Sequence, residues 1–369
     1  MHGLSGRTPH HLVMTNPPQE QHVHQLTYGD IKAAADRIAG HIRPVTLARL
    51  DEGAIRAGHR DPLDKRPEQP WAVWLALEFM QHTGSFKARG AQNFIRAHRD
   101  AGTLPDAGVT IASGGNAGLA CAWAAQRQGV RATVFLPETA PEVKTAKLSS
   151  YGADVRLVGQ EYAEALAACE AFAAASGALT SHAYDHPLIA AGAGTLMEEI
   201  HQHIPDLDTV VVAVGGGGLF AGVATAAQQH GIRTVAVEPE DCRALHAALR
   251  SGHPVDVSVN SIAADSLGAR RTSAMALHAA QQDRVTPVLV SDDEIINARQ
   301  ALWNHHRIAV EHGAATALAA LLATDQHTPD GNVTDRHRLP SRSYRPANGE
   351  KVCVVLCGAN TDASTLTHS

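Results

Sequence analysis

From Gly108 the chain switches repeatedly between two hydrophobic patterns. Short apolar runs, "GVTIAS", "RATVFLP", "ADVRLVG" and "ALTSHAY", read as strands. Between them "NAGLACAWAAQRQG", "PEVKTAKLSSYG" and "EYAEALAACEAFAAASG" read as helices, each ending on glycine. Strand–helix alternation of this kind predicts a parallel sheet wrapped by crossover helices. A second region follows the same rule: "DTVVVAVGGGG" is a strand running into glycines, "LFAGVATAAQQHG" a helix and "RTVAVEPE" a strand. Their unbroken Val/Ala runs fit strands covered on both faces.

The flanks supply the remaining elements. "TYGDIKAAADRIAGHIR" has a helical rhythm in Ile31, Ala34, Ala35, Ile38 and Ile42, and "AVWLALEF" reads as a strand. "SDDEIINARQALWNHH" is an acid-started helix, "AATALAALLAT" another, and "KVCVVLCGANTD" a closing strand and turn. Residues 1–25 are polar and rich in His, Pro and Gln, and are expected to form a disordered tail. Residues 324–349, rich in Pro and Arg, are expected to form a surface insertion. The expected architecture is therefore α/β in two domains, each with a mainly parallel twisted sheet. A small domain over 108–184 is inserted in a larger one built from 26–107 and 185–369, with the site in the cleft between them.

Composition narrows the function. A length of 369 residues, 44% hydrophobic and 18% charged, describes an ordinary globular protein with room for two well-filled cores. The net charge of −6 and the 4% aromatic content exclude a general nucleic-acid binder. No apolar run is long enough to span a bilayer, and the N-terminus lacks the apolar core of a signal peptide. Five scattered cysteines without a CxxC pair point to a reducing, cytoplasmic compartment. The 23 histidines include close pairs, among them His201/His203 and His305/His306. None forms an HExxH or a Cys/His array, so a solvated-surface reading outweighs a metal site.

Three short segments carry candidate chemistry. In "LEFMQHTGSFKARGA", Lys87 follows Phe86 at the end of a Thr-Gly-Ser turn. A nucleophilic lysine needs its amine uncharged, and confinement against apolar surface favours that form. The bland alternative is a surface turn with Lys87 and Arg89 both solvated. In "VGGGGLFAG", a strand runs through Gly215, Gly216, Gly217 and Gly218 into a helix, a geometry that lets backbone N–H groups and a helix N-terminus grip a phosphate. The same residues satisfy a dinucleotide fingerprint, with Gly216, Gly218 and Ala221 as G-x-G-x-x-A and Glu238 at the end of the next strand. Gly215 and Gly217 are superfluous for that motif. In "ASGGNAGLA", Ser113, the following amides and Asn116 stand at a helix start, where a carboxylate could be held.

Together "HTGSFKARGA", "SGGNAG", "VGGGGLFAG", "AVEPE" and "VVLCGANTD" resemble the serine/threonine dehydratase family, from about Leu26 to Asp362. That family belongs to the tryptophan-synthase-β-like group of pyridoxal phosphate enzymes, PLP fold type II. The resemblance implies that Lys87 carries pyridoxal 5'-phosphate as a Schiff base, with Phe86 beside the ring. Gly215, Gly216, Gly217, Gly218 and Leu219 would hold the phosphate end. Asn116 would bond the ring hydroxyl, and Ser113, Gly114, Asn116 and Ala117 would take the substrate carboxylate. Cys357 matches the serine or cysteine that the family places at the pyridine nitrogen, a neutral partner suited to elimination. Cys353, on the same strand, reads as core. Glu238 matches a family cation ligand for K+ or Mg2+, with a structural acid at a strand end as the alternative.

The implied activity is the β-elimination of L-threonine, L-serine or a close β-hydroxy amino acid to a 2-oxo acid and ammonia, in a cytoplasmic homodimer. Gly114 stands where the serine racemases of this group have a serine, so poor racemisation is expected. Ala193, Ala76 and the "EHGAATAL" run at Glu311 also depart from the usual residues, which leaves the substrate side chain open. The rivals are another PLP elimination or replacement enzyme of the group, an NAD-dependent dehydrogenase built on the 216–221 glycines, and a cofactor-free binding protein on the same scaffold.

Overall fold

Among the described residues ten strands, β1 (Leu47–Arg49), β2 (Ala72–Ala76), β3 (Val109–Ala112), β4 (Ala132–Leu136), β5 (Asp154–Leu157), β6 (Leu179–Thr180), β7 (Thr209–Ala213), β8 (Arg233–Pro239), β9 (Val285–Val290) and β10 (Lys351–Val355), form two sheets. This computed structural model describes residues 25–50, 71–322 and 343–366. The expected tail, apart from residue 25, and most of the expected 324–349 insertion lie outside them. The larger sheet has the order β1-β2-β10-β7-β8-β9 and is parallel except for the antiparallel β1–β2 edge. The smaller has the order β5-β4-β3-β6 and is parallel throughout.

Among the described residues twelve helices cover the sheets: α1 (Tyr28–Ile38), α2 (Lys87–Asp100), α3 (Asn116–Arg127), α4 (Glu142–Ser150), α5 (Tyr162–Ser176), α6 (Pro187–His203), α7 (Gly218–Gln229), α8 (Ala244–Ser251), α9 (Ala264–Leu267), α10 (Ala274–Ala280), α11 (Asp292–His306) and α12 (His312–Leu322). Their starts are chemically explicit. Thr27 with Asp30 and Ser291 with Glu294 form reciprocal capping boxes that satisfy the orphan amides of α1 and α11. Gly177 closes α5 in the left-handed conformation.

The core of the larger unit is centred on β7, β8 and β10, whose Val210, Val211, Val235, Val352 and Val354 are fully enclosed. A separate core, around Val109, Ile111, Val134, Leu119 and Leu148, underlies the smaller sheet. Helix α6 links the two. It touches α2 at Gly90 and Gly192 and α7 at Gly194 and Gly222, where a methyl group would meet a neighbouring carbonyl within 2.3–2.8 Å. Backbone-to-backbone packing of this closeness fixes α2, and with it Lys87, against the glycine loop that opens α7.

Several expectations shift. "AVWLALEF" is a strand only to Ala76; Glu78–Met80 and His82–Gly84 coil into short 3-10 turns. The strand expected over "ALTSHAY" is reduced to Leu179–Thr180. The 324–349 segment is not surface throughout, because Ser343 and Tyr344 are buried. The Tyr344 N–H donates to the Ala320 carbonyl at 2.8 Å, and the Tyr344 hydroxyl bonds Glu350.

Candidate active site

The lysine turn is locked onto the end of β10. Ser85 bridges Gly358 in antiparallel fashion, the Phe86 N–H donates to the Cys357 carbonyl at 2.9 Å, and the Ala359 N–H donates to the Gly84 carbonyl at 2.9 Å. Thr83 and Gly84 adopt φ of 64° and 76°. A β-branched residue in that region is strained, and such strain concentrates at functional turns. The turn launches α2 with Lys87 as its first residue.

The Lys87 amine donates to the Ala183 carbonyl at 2.5 Å and lies 4.9 Å from the centre of the Phe86 ring. Burial lowers its pKa from 10.5 to about 8, against the opposing pull of Cys357 and Glu311. At that pKa about one-tenth of the amine is neutral at pH 7, far more than in a free lysine, and the neutral form is what a nucleophilic or proton-accepting lysine requires. Arg89, two residues on, is not solvated. It is 0% exposed and bonded to Glu78, itself 1% exposed, at 2.6 Å and to Glu199 at 2.6 Å.

Opposite the lysine, Gly215–Gly218 join β7 to α7, and all four positions are crowded. An added methyl group would lie 2.9 Å from Leu267 at Gly215, 2.3 Å from the Tyr184 ring at Gly216, 2.3 Å from Ala276 at Gly217 and 2.8 Å from the Tyr184 carbonyl at Gly218. Gly217 also has φ of 92°. The two glycines that a dinucleotide motif leaves unexplained are thus required here. The motif's acid points elsewhere as well. Glu238 is buried, and its two oxygens accept the Leu245 and His246 amides at 2.7 and 2.8 Å, so it caps α8. Burial raises its carboxyl to about 8 despite those bonds.

The lysine, the glycines and the loop between β3 and α3 meet in one cavity of about 570 Å³, within the range of small-molecule sites. Phe86, Lys87, Ser113, Asn116, Ala117, Gly215–Gly218, Leu219 and Cys357 all line it. Gly114 does not. A side chain there would run into Leu136 at 2.7 Å, and the wall at this point is formed by Gly115. Cys357 is buried in the wall with its thiol pushed well up by desolvation, whereas Cys353 is paired in the sheet beside Trp74 and Val210.

Sequence reasoning did not assign a role to Glu311. It lies in the cavity wall just before α12, and both its oxygens accept the Asn116 amide nitrogen, at 3.0 and 3.1 Å. Burial raises its carboxyl to about 7, partly offset by Asn116 and Lys87. Gly358 makes room for it, since a methyl there would stand 2.3 Å from the carboxylate. Tyr184 was missed too. Its ring packs over Gly216 and its hydroxyl donates to the Arg271 carbonyl at 3.0 Å. The only available signals were an acid ahead of an apolar helix and an aromatic after a shortened strand.

These features fit pyridoxal phosphate: an enclosed amine of lowered pKa, a glycine cradle that side chains would fill, and a neutral thiol in the wall. Comparison with known proteins agrees. Residues 59–334 match the pyridoxal-phosphate dependent enzyme family. The chain is 35% identical over 344 residues to an L-threonine ammonia-lyase of Geobacter sulfurreducens, covering 92% of this chain and 77% of that protein. It is 33% identical over 323 residues to a phenylserine dehydratase of Ralstonia pickettii, covering 86% and 92%. The structure of maize serine racemase superposes with a TM-score of 0.77 at 26% identity, over 93% of this chain and 96% of that one. The chain belongs to the pyridoxal-phosphate dependent enzymes, in the serine/threonine dehydratase family.

Proposed function

We propose that the protein eliminates water from L-threonine, L-serine or a close β-hydroxy amino acid, giving a 2-oxo acid and ammonia. The observation that carries this reading is the meeting of Lys87, the four glycines and the Ser113–Asn116 loop in one cavity. Pyridoxal phosphate, held by Lys87 and the 215–218 cradle, would supply an electron sink for the substrate's α-carbon. Ser113 and the amides at the start of α3 would hold the substrate carboxylate, with Asn116 turned to the ring hydroxyl and Cys357 to the ring nitrogen. The Lys87 amine, neutral often enough at its lowered pKa, would take the Cα proton. The Cα–H and Cβ–O bonds then break, the hydroxyl leaves as water, and the freed enamine hydrolyses to oxo acid and ammonia.

The division into a small domain over 108–184 and a large one from its flanks is part of the same reading. It is supported by the smaller sheet's strands all falling between Val109 and Thr180. All five cysteines are free and buried, which supports a reducing cytoplasmic setting. Among the described residues no helix is long and apolar enough to cross a membrane. A homodimer is expected from the family resemblance. For Glu238 we favour the helix-capping role over a K+ or Mg2+ site, because the α8 amides engage both its oxygens.

The test is a panel of L-threonine, L-serine and phenylserine in which 2-oxo acid and D-isomer formation are measured together. We expect oxo acid to dominate, since Gly114 carries no hydroxyl and lies outside the cavity wall. Efficient D-serine formation, or turnover only of substrates with a leaving group other than hydroxyl, would overturn the assignment.

A further inference from the structure

A chain of hydrogen bonds crosses the cleft beside the cavity, and every bond in it points the same way. The exposed ammonium of Lys147, on α4, donates to Asn360 Oδ1 at 2.9 Å. Asn360 Nδ2 donates to the Thr83 carbonyl and to Asn116 Oδ1, both at 2.7 Å. Asn116 Nδ2 in turn donates to both oxygens of Glu311.

The orientation of each amide follows from its partners rather than from which atom is labelled nitrogen. An ammonium only donates and a backbone carbonyl only accepts, so Asn360 can present its oxygen only to Lys147 and its nitrogen only to Thr83. That nitrogen then requires an oxygen from Asn116. The Asn116 nitrogen is left to donate to the two oxygens of Glu311. Gly84 keeps the space clear, since a methyl there would lie 2.9 Å from Asn360 Oδ1.

We infer that Asn360 is a positioning residue: it fixes Asn116 with its amide nitrogen toward Glu311 and the cavity that would hold the cofactor, and ties that orientation, through Lys147, to helix α4 across the cleft. The inference rests on the proposed role of Asn116 toward the ring hydroxyl of pyridoxal phosphate. Without Asn360 as donor, Asn116 loses the bond that fixes which end of its amide faces the ring.

Asn360→Asp is isosteric and tests this directly. The carboxylate still accepts from Lys147 but cannot donate, so the Thr83 carbonyl loses a partner and the Asn116 oxygen faces another acceptor, which removes the bond that selects its orientation. Full-length wild type, Asn360→Asp and Lys147→Met are stripped of cofactor and titrated with pyridoxal phosphate. Their melting temperatures and the visible to near-ultraviolet band ratio of the bound cofactor are recorded alongside. The aspartate variant should bind about tenfold to hundredfold more weakly, the range of one hydrogen bond to a charged group, with an altered band ratio. A purely structural role would lower the melting temperature and leave that ratio unchanged.

Lys147→Met, at an exposed position, should show a several-fold smaller loss of affinity and a wild-type band ratio. Wild-type affinity and band ratio in both variants overturn the inference while leaving cofactor attachment intact. If the aspartate variant does not fold, wild-type affinity in Lys147→Met alone overturns the link across the cleft. Failure of borohydride to fix the cofactor on Lys87 of the wild type would instead remove the functional reading beneath it.

Discussion

The amine of Lys87 is held where a charge is costly, so the cofactor-free protein should be strained by its own active-site lysine. A fall in pKa from 10.5 to about 8 corresponds to roughly 3 kcal/mol at about 1.4 kcal/mol per pH unit. The residue is half-buried, and solvent in the cavity screens part of this, leaving ~1–2 kcal/mol. Lys87→Met removes that cost but also loses the bond to the Ala183 carbonyl, worth roughly 1 kcal/mol. Near pH 7 the methionine variant should therefore match or exceed the wild type by up to ~1 kcal/mol. The pH dependence separates the two contributions. Between about 8 and 10.5 the unfolded wild type holds a proton that the folded protein has released, so wild-type stability rises with pH across this window. Below it the full cost applies, and above it the cost is gone. Methionine does not titrate, so its advantage should shrink by ~1–2 kcal/mol between neutral pH and about pH 10. Urea unfolding of both cofactor-stripped proteins at the two pH values measures this. A stability difference that does not change with pH would show that the amine is not desolvated and refute the electrostatic argument.

Arg89→Leu should cost about 3–5 kcal/mol in urea unfolding, because Glu78 would be left buried without its cation; a loss below roughly 1 kcal/mol would contradict the buried-pair account. Cys357→Ser should retain most activity, whereas Cys357→Asp places a second carboxylate in a wall that already holds Glu311 and should weaken cofactor binding and slow elimination. Cys353→Ser is the control, expected to lower the melting temperature without changing the cofactor spectrum. Reaction rates should be equal in potassium, sodium and magnesium buffers if Glu238 serves only α8; cation activation lost in Glu238→Gln would return that residue to the list of ligands.

What was legible in the sequence was legible because the backbone demanded it. The tetraglycine, the Thr-Gly-Ser turn and the Ser113–Asn116 loop are local, and each imposes residue types that few other structures need. The strands around Val211, Val235 and Val354 announced themselves by continuous burial. Helix α6 did not, since it is enclosed over its whole central run from Ile189 to Glu198 and interrupted by Gly192 and Gly194, so no amphipathic rhythm marks it. Strand β9 was hidden by Pro287 in the middle of "VTPVLV". Strand β6 ends at Thr180, and three residues on the Ala183 carbonyl accepts from Lys87, a contact no strand pattern encodes. Glu311 and Asn360 take their meaning from contacts with Asn116 that span 195 and 244 residues, and no local pattern encodes such a distance. Arg89, beside the lysine, shows the same limit. The sequence shows a basic residue at a helix start, and only the fold brings Glu78 and Glu199 around it.

The central claim is that Lys87 is the residue that holds pyridoxal phosphate. Reduction of the purified protein with borohydride, followed by digestion and mass spectrometry, tests it most directly. The account predicts a stable pyridoxyl adduct on the peptide containing Lys87 and none in the Lys87→Met variant. An adduct on another lysine, or a colourless protein that forms no adduct and binds NAD through the 215–218 glycines, would contradict it.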